Sequence, residues 1–158
     1  MSMVTIYTDG AARGNPGPGG YGVVMQYGPH RKELSQGFKH TTNNRMELMA
    51  LIVALEALKK DGVEVTVYTD SKYVMDSIQQ KWVFGWQKKN FKGKKNADLW
   101  KRFLEVYPKV KLHLQWVKGH AGNRENERCD VLATKAADSS KLIADKGYEL
   151  DQQRIAAE

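Results

Sequence analysis

Residues 3–9 alternate, with Val4 and Ile6 on one parity and Thr5, Tyr7 and Asp9 on the other, the period of a half-buried strand. Residues 21–27 and 31–41 carry the same signature and are joined through the turn GPH, so the three segments predict an antiparallel meander. At Asn43 the period changes. NNRMELMALIVALEALKK, residues 43–60, is dense in helix formers and apolar nearly all round from Met46 to Leu55, which predicts a buried helix capped by an Asn and ended by Gly62. Residues 63–70 alternate again, Val63, Val65 and Val67 against Glu64, Thr66, Tyr68 and Asp70. A helix separates this fourth strand from the meander, so it is expected to lie parallel to the first through a right-handed crossover. Asp70 and Ser71 can cap a short helix reaching about Gln79. Residues 96–107 predict a helix stopped by Pro108, residues 110–117 a fifth strand, KGHAGN a loop, and residues 125–137 a helix with Cys129, Leu132, Ala133 and Ala136 as its inward stripe. The expected fold class is α/β: a five-stranded mixed sheet, strands 1–3 an antiparallel meander and strands 4 and 5 parallel to strand 1, flanked by helices. One domain is expected over residues 1–158, with a basic protrusion at about 81–96 and a weakly patterned C-terminal tail from about 139.

Length and charge narrow the picture. A chain of 158 residues has the size of one domain with a sizeable core. No apolar run approaches the roughly 20 residues of a membrane span, and MSMVTIYTDG has neither a charged leader nor an apolar signal core. The expectation is a soluble, cytoplasmic chain with no membrane partner. The single cysteine, Cys129, cannot form an internal disulfide, in keeping with a reducing compartment, and it is expected as a small buried side chain. The net charge of +7 is concentrated in KWVFGWQKKNFKGKKNADLWKR, residues 81–102, where eight basic residues face Asp98 alone; the rest of the chain sums to zero. Lysines alone describe a solvated face. Here they alternate with Trp82, Phe84, Trp86, Phe91 and Trp100, and cations that meet phosphates beside rings that pack on sugars or bases favour nucleic-acid binding.

The candidate chemistry begins in TDGAARGNPGPGGYG. Gly17, Gly19 and Gly22 have the G-x-G-x-x-G spacing of a dinucleotide loop, but strand-like YGVVMQY follows them where that loop needs a helix, and no P-loop lysine is present. Asp9 is then the residue to explain. Asp9 and Asp70 each end a predicted strand on the polar parity, so parallel neighbours would project both carboxylates from one sheet edge, where open α/β sheets bind ligands. Asp70 taken alone reads better as a helix cap. Glu47 is not, because it continues the stripe Leu51, Ala54 and Leu58 and so puts a carboxylate at the end of a buried face. An unpaired buried charge is costly and requires a cation. Asp130, at the edge of the last helix's stripe, has a similar need. Several carboxylates converging with no Lys or Arg set as their partner in the motifs suggest hard divalent cations, Mg²⁺ foremost. Two such ions about 4 Å apart can clamp the attacking and leaving oxygens of a phosphodiester displacement.

YTDGAARGNPGPGGYG, TTNNRMELMALIVALEAL, YTDSKYV, the basic segment ending KNADLWKR, and WVKGHAGNRENERCD together resemble the bacterial type 1 ribonuclease H family, in order and over about residues 3–148. The resemblance implies a ribonuclease H-like fold and endonucleolytic cleavage of the RNA strand of RNA/DNA hybrids by in-line attack of water, leaving 5′-phosphate and 3′-hydroxyl ends. It implies that Asp9, Glu47, Asp70 and Asp130 hold two Mg²⁺ ions, with Mn²⁺ able to substitute, and that the loop residue His120 assists proton transfer or product release. Asn15, Thr42, Asn43 and Asn44 match groups that line the minor groove or hold phosphates and read 2′-hydroxyls. Trp82, Trp86, Lys88 and Lys89 match a protrusion that grips the DNA strand. Lys72, counted with the substrate-binding residues, stands where the family commonly has Gln, Phe91 where a third protrusion Trp is frequent, and Ala11 and Ala12 where Ser and Cys are common. These departures bear on hybrid affinity more than on chemistry, and a monomer is expected. Without the resemblance His120 reads as a surface loop residue, and His30, His40 and His113 show no ligand spacing. A transposase- or integrase-like DNA nuclease shares strand-end carboxylates, but TTNNRMEL and the basic protrusion argue against it. A hybrid-binding module without catalysis would not need four carboxylates.

Overall fold

The alternating segments pair as their parity requires. The computed structural model describes residues 3–118 and 123–158. Strands β1 (Met3–Ala12), β2 (Gly17–Tyr27) and β3 (His30–Thr41) form the antiparallel meander. β4 (Val63–Thr69) pairs parallel with β1, and β5 (Val110–Trp116) parallel with β4, giving the order β3-β2-β1-β4-β5. The expected mixed sheet is therefore present. The helices are α1 (Asn43–Glu56), α2 (Lys72–Gln79), α3 (Trp82–Lys88), α4 (Ala97–Val106), α5 (Arg124–Ala137) and α6 (Lys146–Ala157). Among the described residues no helix is long and apolar enough to cross a membrane.

Apolar on nearly every side, α1 is buried from Arg45 through Ile52, and Leu48, Leu51, Ile52 and Leu55 join Ile6, Val65, Val67, Trp100 and Phe103 in the core. Its N-cap is Thr42, whose side chain accepts from Arg45 N at 3.2 Å, rather than the Asn expected from the sequence. The helix also stops at Glu56, short of residue 60, as Lys59 and Lys60 turn to solvent.

On the opposite face α5 lies close to the meander. A Cβ on Gly20 would stand 2.7 Å from Ala133 O, and one on Gly22 would collide with Cys129 O, so β2 carries glycine where a helix backbone rests on it. Of the three glycines that imitate a dinucleotide loop, Gly22 has this role, whereas a Cβ at Gly17 or Gly19 would meet Arg13 O or Ala11 O within the meander itself. The buried face of α5 is Asn126, Cys129, Ala133 and Ala137. Cys129 Sγ donates to Tyr7 O at 3.2 Å, and burial pushes its thiol up to about 12. Arg128 on Glu33 (2.8 Å) and Arg31 on Glu125 (3.0 Å) tie α5 to β3.

Past Asp138, where the sequence is weakly patterned, Ile143 makes a parallel bridge to Phe38 at the β3 edge, and α6 packs against α4. Only Tyr148 and Asp151 of α6 are buried, so polar contacts rather than an apolar stripe fix it.

Candidate active site

β1 and β4 pair only as far as Tyr7 and Tyr68, whose rings stack with centroids 5.1 Å apart. β1 then continues beside β2 to Ala12, so Asp9 lies within a strand rather than at its end, just past the last residue that β4 pairs. β4 stops at Thr69 and Asp70 follows directly. Divergence of two parallel neighbours opens the cleft at which α/β sheets place their ligands. Ser71 caps α2 by accepting from Val74 N at 3.1 Å, so the alternative role foreseen for Asp70 is filled by its neighbour.

Glu47 arrives from the other side because of Gly10. A Cβ at position 10 would collide with the backbone of Met46 and Glu47, so glycine there lets the first turn of α1 pass directly over β1. Carboxylate oxygens of Asp9, Glu47 and Asp70 all lie within 4.8 Å of one another. Asp9 and Glu47 are 3% and 6% exposed. Asp9 Oδ1 accepts from Gly10 N at 2.9 Å, whereas Glu47 Oε2 is buried with no hydrogen-bond partner among the described residues. Burial, and then the charges of Asp9 and Asp70, push the Glu47 carboxyl well above the usual carboxylate range. An oxygen-only donor set with a buried oxygen that no donor satisfies fits a hard divalent cation. Arg45, the basic residue of the same motif, is engaged elsewhere: it is wholly buried and binds Asp98 (2.7 Å) and Asp145 (2.9 Å).

Asp130 sits half-buried on the first half of α5 and is not one of the carboxylates that cluster within 4.8 Å. His120 lies outside the described residues.

The expected substrate groups divide into two places. Asn15 and the start of α1 are together, Asn43 N donating to Asn15 Oδ1 at 3.1 Å, and Asn43 and Asn44 are exposed one turn before Glu47. Lys72 is exposed at the first position of α2. The second place is α3 and the turn after it, where Lys88, Lys89, Lys92, Lys94 and Lys95 are exposed. Its aromatics differ in how far they stand out. Phe91 and Trp100 are buried, Phe84 tilts onto Tyr107 at 5.6 Å, and half-buried Trp86 meets Trp100 edge-on at 5.9 Å with Lys94 Nζ 5.3 Å from its centroid. Rings fasten the basic segment to the body, and Trp82, 50% exposed, is the most open of them. A cavity of about 620 Å³ lies at the opposite end of the sheet, lined by Val4, Met25, Tyr27, Lys59 and Val63 among others, and none of the candidate residues lines it.

The RNase H family model matches residues 1–138. A ribonuclease H of Lachnoclostridium phytofermentans is 55% identical over 157 residues, covering 92% of this chain and 99% of the relative. One from Syntrophus aciditrophicus is 54% identical over 153 residues, covering 94% and 88%. The crystal structure of LC9-RNase H1, a type 1 RNase H with the type 2 active-site motif, aligns with a TM-score of 0.77 at 31% identity over 99% of this chain and 84% of that one. LC11-RNase H1 in complex with an RNA/DNA hybrid aligns with a TM-score of 0.57 at 31% identity over 85% and 96%.

Proposed function

The chain belongs to the ribonuclease H family of nucleases, and from that premise we propose that it hydrolyses the RNA strand of RNA/DNA hybrids as a Mg²⁺-dependent endonuclease, leaving 5′-phosphate and 3′-hydroxyl ends. The observation that carries the chemistry is the convergence of Asp9, Glu47 and Asp70 at the edge where β1 and β4 part. Asp9, Glu47 and Asp70, with Asp130 from α5, are the residues that would hold two ions, Mg²⁺ or in its place Mn²⁺. Such ions supply the charge that stabilises the phosphodiester transition state and acidifies the attacking water. Glu47 must release its proton before it can ligate, so cation occupancy should strengthen as pH rises.

The other residues bind and orient. Asn15, Thr42, Asn43 and Asn44 read 2′-hydroxyls from the minor groove, and Lys72 meets the backbone beside Asp70. Trp82, Trp86, Lys88 and Lys89 hold the DNA strand. His120 passes a proton to the leaving oxygen or helps product depart. The protein works as a cytoplasmic monomer.

A labelled RNA/DNA hybrid, duplex RNA and duplex DNA, each with Mg²⁺ and with chelator, test this directly. Cleavage is expected of the hybrid alone and with Mg²⁺ alone, and Asp70→Asn is expected to abolish it while the circular dichroism spectrum stays parental. Cleavage of duplex DNA, or near-parental turnover by Asp70→Asn, would overturn the assignment.

A further inference from the structure

The C-terminal segment reaches both proposed binding places while none of its described hydrogen bonds or ion pairs involves the carboxylate cluster. Asp145 caps α6, accepting from Tyr148 N at 3.1 Å, and turns the same carboxylate onto the start of α1. Thr41 Oγ1 donates to it at 2.7 Å, Arg45 Nε at 2.9 Å and Arg45 Nη2 at 3.1 Å. Thr41 and Arg45 are wholly buried and bracket Thr42, Asn43 and Asn44, so Asp145 grips the reading edge on both sides. Further along, Asp151, 4% exposed, accepts from Asn96 N at 2.6 Å and Ala97 N at 3.2 Å. It thus caps α4 from outside, where Asn96 makes no side-chain cap hydrogen bond of its own. Arg154 donates to Phe91 O at 3.3 Å and to Lys94 O, and Glu158 accepts from Gly93 N at 2.8 Å.

These contacts clasp the turn that carries Lys92, Lys94 and Lys95. Asn90, Phe91 and Asn96 in that turn have φ of 53°, 57° and 66°, a left-handed backbone that non-glycine residues keep only when their surroundings impose it. The two grips are also joined, because Arg45 forks onto Asp98 at 2.8 and 2.7 Å in the first turn of α4, the helix that Asp151 caps.

We propose that the segment from Asp145 to Glu158 is a positioning element for substrate: through Asp145, Asp151 and Arg154 it sets the placement of the α1 reading edge relative to the lysine turn. Hybrid affinity and strand discrimination then depend on it, and the bond-breaking step does not. This rests on the hybrid-cleaving reading above. A segment that only stabilises the fold would affect melting and nothing else.

The test compares parent, Asp145→Asn, Asp151→Asn and Arg154→Ala, assayed on a short RNA/DNA hybrid well below their melting temperatures. Asp151→Asn is expected to raise KM about tenfold with kcat within about twofold of the parent, the loss of roughly one good contact. The slope of log affinity against log salt should fall by about 0.9 for each lysine withdrawn from a phosphate. Asp145→Asn should raise KM at the parental salt slope and lessen the penalty for replacing one ribonucleotide by a deoxynucleotide. Arg154→Ala leaves both aspartates in place and should follow Asp151→Asn in milder form, so it serves if the others fail to fold. Folded variants that melt earlier yet keep parental KM, salt slope and discrimination would reduce the segment to an anchor and overturn the proposal, as would a fall in kcat at unchanged KM. A parent that fails to cleave the hybrid would overturn instead the function on which the proposal rests.

Discussion

Gly10 is as necessary to the carboxylate cluster as the carboxylates are, because it sets how closely α1 approaches β1. Gly10→Ala forces the first turn of α1 outward, an overpacking expected to cost about 1–3 kcal/mol by urea denaturation. The accompanying displacement of Glu47 should lower kcat about 10²-fold. Glu47 itself gives a pH signature. A carboxyl whose pKa is raised on folding holds its proton more tightly in the folded chain than in the unfolded one, where the value is 4.5. Stability is then fully present below about pH 4.5 and is lost as pH rises through the folded value. In chelator, Glu47→Gln should therefore melt above the parent at neutral pH, with the gap closing toward pH 4.5; scanning calorimetry at several pH values checks it, and a constant gap would argue against burial as the cause. Glu47 was legible because a charge on an apolar stripe breaks a period. The partners of Arg45, 53 and 100 residues away in the chain, were not, since an ion pair between distant positions leaves no local pattern.

At the scale of elements, the basic segment shows what charge and composition can and cannot convey. The lysines were readable, as a net charge is additive along the sequence, but the direction of each ring depends on what lies beneath it. WVFGWQK is too short, and interrupted by Gly85, to announce α3 by period. Its rings separate two effects that the sequence merged. Trp82→Ala is expected to raise KM at an unchanged melting temperature, while Trp86→Ala, which loses its edge contact with Trp100, also costs roughly 1–3 kcal/mol. Replacing Lys88, Lys89, Lys92, Lys94 and Lys95 together by Ala should weaken hybrid binding and flatten its salt dependence with kcat preserved. Unchanged salt slopes would leave these lysines as a solvated face. Similar limits explain why Thr42, and not an Asn, caps α1: the motif TTNN offers four capping residues in a row, and the end of β3 decides which one the backbone uses.

Over the whole molecule, the parts legible from sequence are those built by repetition, namely alternating strands and the all-round apolar α1. The parallel direction of β4 followed from a single connection rule, since a helix between two strands requires a crossover, whereas the order β3-β2-β1-β4-β5 is set by packing. α6 escaped because it is fixed by caps and ion pairs that its own sequence does not display. Arg45 is the centre of that fixation. Arg45→Ala leaves Asp98 and Asp145 without their cation and is expected to cost about 3–5 kcal/mol in urea denaturation. Arg45→Lys should recover only part of it, because an ammonium cannot reproduce the fork.

Cys129 has a further consequence, for spectroscopy. As the chain's one cysteine, on the buried face of α5 with its thiol pushed up to about 12, it should stay protonated and shielded from maleimide at neutral pH. The parent is therefore expected to be silent to thiol-directed dyes without any mutation. A cysteine introduced at exposed Lys89 would be the single labelled position, and a fluorophore there paired with one on the DNA strand would report the approach of the lysine turn to its substrate in real time.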